Sequence, residues 1–257
     1  MAHFFLTLII ALALLSALWP VSLVLKDVSI VDIAWGPAFA ILGWVAFAVD
    51  RSGGTRSFVA LALVTLWGTR LGTHIFVRQI ESGNEDRRYT AIRKKFGRYF
   101  PFFSLMLVFW LQALLLWLIS WPLQAAAAAK GPITLLDGLA WAVTLAGIAI
   151  EAMADWQLMA FRAVPHHRDL VLDKGLWHWT RHPNYFGDFL IWWGFFLAGI
   201  SAGAPWWTIL SPVVMSALLL HFSGAGLMEE TIAERRPAYR AYIARTSGFF
   251  PWPPSPG

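Results

Sequence analysis

The chain contains no cysteine, which excludes disulfide scaffolds, thiolate metal sites, iron–sulfur clusters and cysteine nucleophiles together. Charge is scarce as well. Only 14% of the 257 residues are Asp, Glu, Lys or Arg, against about 25% in an ordinary soluble protein. The formal net charge of +5 therefore describes a few basic loops rather than a basic domain, and nucleic acid is not an expected partner. No G-x-G-x-x-G follows a strand pattern and no G-x-x-x-x-G-K-[ST] occurs, so neither a Rossmann domain nor a P-loop is encoded. Lone histidines such as His3 and His221 in apolar stretches are weak evidence for a metal, and none is expected.

Apolar side chains fill the space that charge leaves. They make up 58% of the chain, with a mean hydropathy of +0.58, and they fall into runs long enough to cross a bilayer, about 20 residues each. Such runs can be read at roughly 3–25, 28–49, 57–77, 102–123, 134–161, 184–201 and 205–225. The expected fold is an all-α polytopic membrane protein of seven transmembrane helices in one domain. The first run lacks a basic n-region and a small-residue cleavage site before Trp19-Pro20, so it reads as a retained helix. Gln124 to Lys130, with five alanines, is expected in a short loop or helix end. The tail Phe250-Pro251-Trp252-Pro253-Pro254 suits a membrane interface.

Sixteen of the 20 lysines and arginines fall on one side of this arrangement. They include Arg87, Arg88, Arg93, Lys94, Lys95 and Arg98 after the third run and Arg162, Arg168, Lys174 and Arg181 after the fifth. By the positive-inside rule these loops and the C-terminus are cytoplasmic and the N-terminus is outside.

Ionisable residues within spans are costly unless they face protein or a wet cavity, so each is a functional candidate. Glu151, Asp155 and Arg162 fall within about 40° of one another on the fifth span. Arg70, His74 and Arg78 make a similar stripe on the third, as do Asn184, Asp188 and Trp192 on the sixth. Asp32 and Trp35 sit near the start of the second. Pairing that only pins helices together, for example Asp155 with Arg162 or Asp188 with Arg181, is the competing explanation. Three helices carrying polar stripes toward one side favour a site. Pro183 suits a first helical turn, whose amides, with Arg162, Arg181, Arg87 and Arg88, could hold a diphosphate.

Glu151 to Gln157, the segment Gly175-Leu-Trp-His-Trp-Thr-Arg-His-Pro-Asn-Tyr-Phe-Gly-Asp188, Trp67 to Leu71, Glu85 to Tyr89, and the closing Tyr239, Tyr242 and Phe249 to Trp252 resemble the DUF1295 group of bacterial membrane proteins within the steroid 5-alpha-reductase superfamily. The similarity covers nearly the whole chain. It implies a reductase that binds NADPH in a membrane cavity open to the cytoplasm and reduces an activated C=C bond of a lipid-soluble substrate. In the bacterial group that places it in the inner membrane, among membrane lipids. Residues 1–101 would then be the substrate side and 102–257 the cofactor-binding half. In steroid 5-alpha-reductases an aspartate and an arginine seven residues later on the fifth helix hold the cofactor, and they match Asp155 and Arg162. The Asn-x3-Glu-x3-Trp of these reductases matches Asn184, Asp188 and Trp192, with Asp in place of Glu. Glu151, Arg87, Arg88, Arg181, His182, Tyr185, Glu230 and Tyr242 complete the expected cofactor set. The Gln-Glu pair that steroid 5-alpha-reductases carry on the second helix is missing, and no tyrosine lies around His74-Ile75, so Asp32 and His74 are the expected donors to substrate. A second class shares part of the pattern. Membrane methyltransferases of the isoprenylcysteine and phospholipid type also carry R-H-P-x-Y-x-G, an acidic pair such as Glu229-Glu230 and spaced tyrosines, and bind S-adenosylmethionine.

A topology reporter fused after Gly257 is expected to report the cytoplasm, because the basic loops require it. A signal from the opposite side would break the seven-span arrangement.

Overall fold

An apolar segment in lipid must satisfy its backbone within itself, and the helix is how one segment does so. The computed structural model, which describes residues 2–51, 53–167, 170–222 and 237–255, contains helices and no strand among them. The first three are α1 (Ala2–Leu25), α2 (Ile30–Asp50) and α3 (Thr55–Ser82). A nearly unbroken rod follows: α4 (Arg87–Phe96), α5 (Phe100–Ser104) and α6 (Leu111–Ile119), joined by a tight turn at Gly97–Tyr99 and a wide π turn at Leu105–Trp110. Then come α7 (Trp121–Ala127), α8 (Leu135–Ala163), α9 (Pro183–Ser201), α10 (Leu210–Ala217) and α11 (Pro237–Arg245).

Among the described residues five helices are long and apolar enough to cross a membrane: His3–Leu25, Ile30–Asp50, Thr55–Ser82, Arg87–Ile119 and Leu135–Ala163. The expected sixth span forms as α9, and the expected seventh begins as the shorter apolar helix Trp206–Leu220. Residues 223–225 of that seventh run, together with Arg168, Glu229, Glu230, Arg235 and Arg236, lie outside the described residues.

The chain divides into two compact units, Met1–Gly138 with Leu197–Thr208, and Leu139–Phe196 with Ile209–Gly257. In the first, α2 and α3 meet backbone to backbone. A Cβ at Gly36 would stand 2.5 Å from the Gly68 carbonyl oxygen, and one at Gly68 2.4 Å from that of Gly36. Small residues let helices in lipid approach this closely, where packing rather than water exclusion holds them together. Phe39 and Trp67, both fully buried, lie beside the crossing with ring centroids 5.8 Å apart and planes tilted by 53°. At the other end of α3, Arg56 is buried against Asp137, its Nη2 donating at 2.7 Å to Asp137 and at 2.7 Å to the Pro132 carbonyl.

The alanine-rich stretch is a helix end, as one of its two expected readings had it. Most of it is α7, with Leu123, Gln124, Ala126 and Ala127 fully buried. Gln124 accepts from Thr7 Oγ1 at 2.9 Å and donates to Ser120 Oγ at 2.7 Å. Alanine at successive positions leaves no apolar stripe to read, yet small side chains are what allow a short helix to sit among α1, α2 and α3.

In the second unit α8 and α9 close on glycine in the same way. A Cβ at Gly187 would lie 2.6 Å from the Glu151 nitrogen, and one at Gly194 2.2 Å from Thr144 Oγ1.

Gly68→Ala is expected to lower stability in detergent by about 1–3 kcal/mol, the usual cost of overpacking. Gly138→Ala, a helical position with nothing within 4 Å, should leave the melting temperature unchanged or raise it. Equal effects of the two would mean that the α2–α3 contact is not the tight one.

Candidate functional site

In the first unit, the segment after α3 is tied down onto the α1–α2 turn. Glu85 Oε1 accepts from the Val28 amide at 3.0 Å, and Ser29 Oγ accepts from the Asp86 amide at 2.9 Å. Arg93 grips Glu85 through Nε at 3.0 Å and Nη2 at 2.7 Å, and also reaches the Lys26 carbonyl at 3.1 Å. Lys26 itself turns the chain in a left-handed conformation (φ 55°). Gln79 adds a bond to Asp27.

Tied down in this way, α4 delivers two side chains to Asp32. The Tyr89 hydroxyl donates to Oδ1 at 2.7 Å, Arg88 Nη2 donates to Oδ2 at 3.0 Å, and Gln112 Nε2 donates to the Tyr89 oxygen at 3.0 Å. Tyr89 is buried. Both oxygens of Asp32 act as acceptors in this arrangement. Tyr89 and Gln112 were missed in the sequence. Their signal was faint: Tyr89 closes the Glu85–Tyr89 motif, but it lies after the third helix rather than on it. His74 is half-buried on α3, two residues past Gly72, where a Cβ would come within 2.9 Å of the Ile33 carbonyl. Arg87 is exposed.

In the second unit the two motif helices meet through their polar residues. Asn184 Nδ2 donates to Asp155 Oδ1 at 3.1 Å. Glu151 and Asp155 are buried, Trp192 is fully buried, and Arg162 is exposed in the last turn of α8. His182 and Tyr185 stack on each other almost in parallel, with centroids 5.5 Å apart. Asp188 lies half-buried one turn after Asn184. The loop before α9 is held to α8 by Gln157, whose Oε1 accepts from the Leu176 amide at 3.0 Å, and by Trp177 Nε1 donating to the Ala154 carbonyl at 3.1 Å. Gly175 makes this possible. It adopts φ 62°, and a Cβ there would overlap the Gln157 amide at 2.6 Å.

Arg181, expected at a diphosphate, and Tyr242, of the expected cofactor set, both bond backbone carbonyls. Arg181 Nη1 donates to the carbonyls of Ile243 and Thr246 at 2.9 and 3.0 Å, at the C-terminal end of α11. Such an end carries unsatisfied carbonyls and partial negative charge, which a guanidinium complements. Tyr242 donates its hydroxyl to the Trp177 carbonyl. Burial, with Tyr239 beside it, pushes its phenol above the usual tyrosine range. The tail then lies along the loop, with Thr180 Oγ1 on the Phe249 carbonyl at 2.8 Å and the Trp252 amide on the Trp179 carbonyl at 3.0 Å. The amides at the start of α9 are also partly taken: Tyr185 N–H bonds its neighbour Asn184 Oδ1 at 3.0 Å, and Phe186 N–H bonds the His182 carbonyl at 3.0 Å.

Comparison with known proteins adds a family. A family model described as a protein of unknown function, DUF1295, matches residues 18–246. An uncharacterised protein of the fission yeast Schizosaccharomyces pombe is 28% identical, over 95% of this chain and 78% of its own length. No solved structure matches.

Asp86 caps α4, accepting from the Arg88 amide at 2.9 Å and from its guanidinium at 3.0 Å. Burial alone would push this carboxyl up, but Arg88 outweighs it through the two hydrogen bonds and its charge, and holds Asp86 below the usual carboxylate range. A lowered value means that ionised Asp86 stabilises the fold at neutral pH, and that this contribution is lost as pH falls below about 4 and through the lowered value. Asp86→Asn should therefore melt lower than the parent at neutral pH by about 1 kcal/mol or less, and the two should converge at acid pH. A difference that persists at low pH would show that Asp86 acts by packing alone.

Proposed function

This chain belongs to the DUF1295 family, and we propose that it is an integral-membrane reductase acting on an activated C=C bond, such as an enone, of a lipid-soluble substrate, with NADPH as cofactor. The observation that carries the reading is the 3.1 Å hydrogen bond from Asn184 to Asp155. These residues belong to separate motifs 29 residues apart in the chain, one on α8 and one on α9, and the reading assigns both to a single site. NADPH, when bound, supplies the hydride.

The side chains suit such a ligand. Arg162 offers a planar guanidinium at the exposed end of α8, which can grip phosphate oxygens in pairs. Arg181 and Tyr242 are occupied by the loop–tail brace, so their part is to hold Asn184 and its helix in register. Asp155 fixes the Asn184 amide. Glu151, Asp188, His182, Tyr185 and Trp192 line the same two helices and complete the assigned set.

On the substrate side, Tyr89 holds its proton at a buried phenolic oxygen oriented by Asp32 as acceptor and Gln112 as donor. A fixed donor of this kind stabilises negative charge developing on a carbonyl oxygen, typically by a few kcal/mol. Asp32 and Gln112 then orient the donor from either side. His74, the other ionisable group of that helix pair, is the alternative donor. With the basic loops cytoplasmic, cofactor enters from that side.

Arg162→Ala is expected to weaken NADPH binding tenfold or more, since a hydrogen bond to a charged group contributes about 1.5–3 kcal/mol. Arg162→Lys should recover only part, because the ammonium lacks the planar fork. The check is equilibrium titration of purified protein, alongside mass spectrometry of whatever ligand co-purifies in mild detergent. Wild-type affinity in the folded Ala variant would leave Arg162 a structural residue. Co-purified S-adenosylmethionine would replace the reductase with a methyltransferase.

A further inference from the structure

The segment around α4 carries more cations than its acids can use. Every carboxylate placed against it is engaged: Glu85 by Arg93 and the Val28 amide, Asp86 and Asp32 by Arg88, and Asp27 by Gln79 and the Ser29 amide. Lys94, Lys95 and Arg98 are exposed, and among the described residues no carboxylate pairs with them. Two of them lie against aromatic rings. Lys95 Nζ lies 5.7 Å from the Phe96 ring centroid, and Arg98 lies 4.8 Å from that of Tyr99 while donating to its hydroxyl at 2.7 Å.

Helical geometry puts Lys94 and Lys95 on one arc of about 100° with Ala91. Buried Tyr89 points the other way, and Arg98 follows on the next turn. The depth of this face is marked by rings. Tyr99 is 57% exposed and Phe102 62% exposed immediately after the cations. Trp19 pins the spot from α1, its Nε1 donating to the Pro101 carbonyl at 3.0 Å and to Ser104 Oγ at 3.2 Å. Amphipathic rings of this kind gather at the headgroup level, with the apolar span continuing beyond them.

We propose that Lys94, Lys95 and Arg98 form a headgroup site for an anionic glycerophospholipid, with Tyr99 and Phe102 against the upper acyl chain. A lysine or arginine near an anionic surface is worth about a fivefold gain in association, so three together amount to on the order of a hundredfold. The lipid would hold the rod formed by α4, α5 and α6 at a fixed depth, and with it Tyr89 over Asp32.

The test is native mass spectrometry of the full chain in detergent with equimolar phosphatidylglycerol and phosphatidylcholine. The parent should retain phosphatidylglycerol over phosphatidylcholine by tenfold or more. K94Q/K95Q/R98Q should bring the ratio near one, and K94R/K95R should keep the parent's preference, since charge rather than residue identity sets it. A parent with no preference, or a triple variant that keeps it, overturns the proposal. If the triple variant is unstable, the Arg double variant is compared with K94Q/K95Q, and equal preference in those two is equally fatal. Displacement of phosphatidylglycerol by millimolar inorganic phosphate would make the ligand a free anion and remove the lipid from the assignment.

Discussion

A charge that leaves water must bring its partner with it, because neither lipid nor packed apolar side chains can solvate it. This constraint organises the chain's ionisable groups. Arg56 is buried together with Asp137 and the Pro132 carbonyl, and Asp32 is held by Tyr89 and Arg88. Removing one member of a buried pair strands the other, which typically costs more than the pair contributes. The pairs therefore specify which helix faces meet.

Pairing at such distances depends on backbones being close. The contacts of Gly36 with Gly68 in the first unit, and of Gly187 with Gly147 and Glu151 in the second, let short polar side chains reach across. Asn184 has a two-atom reach beyond Cβ and still meets Asp155. Bulkier residues at the crossings would open that gap. In each unit, tight packing is the precondition for the polar contact beside it.

The proposed reductase would draw on Tyr89 and Arg162. Tyr89 is oriented from both sides, and Arg162 stands exposed at a helix end. The segments that carry them are braced, the first by Glu85, Asp86 and Arg93 on the α1–α2 turn, and the loop before α9 by Gln157, Arg181 and Tyr242. Rigid support of this kind is what fixes donors in place before a reaction begins.

Much of this was legible in the sequence. The scarcity of charge and the apolar runs announced a helical membrane protein, and the spacing of Glu151, Asp155 and Asn184 placed polar stripes on particular helices, because residues three or four apart must share a face. Periodicity says which residues share a face, and nothing about which neighbour that face meets. Tyr89 and Gln112 therefore stayed invisible until the rod packed against α2, and the bonds from Arg181 Nη1 to the carbonyls ending α11 could not be read from its place in a motif. The alanine run had no stripe at all, and only the packing of α7 revealed it as core. Side-chain chemistry, hydropathy and family were written in the order of residues. The partner of each polar group was decided by the close approach of helices distant in sequence, since a hydrogen bond forms only where tertiary packing brings its two atoms within about 3 Å.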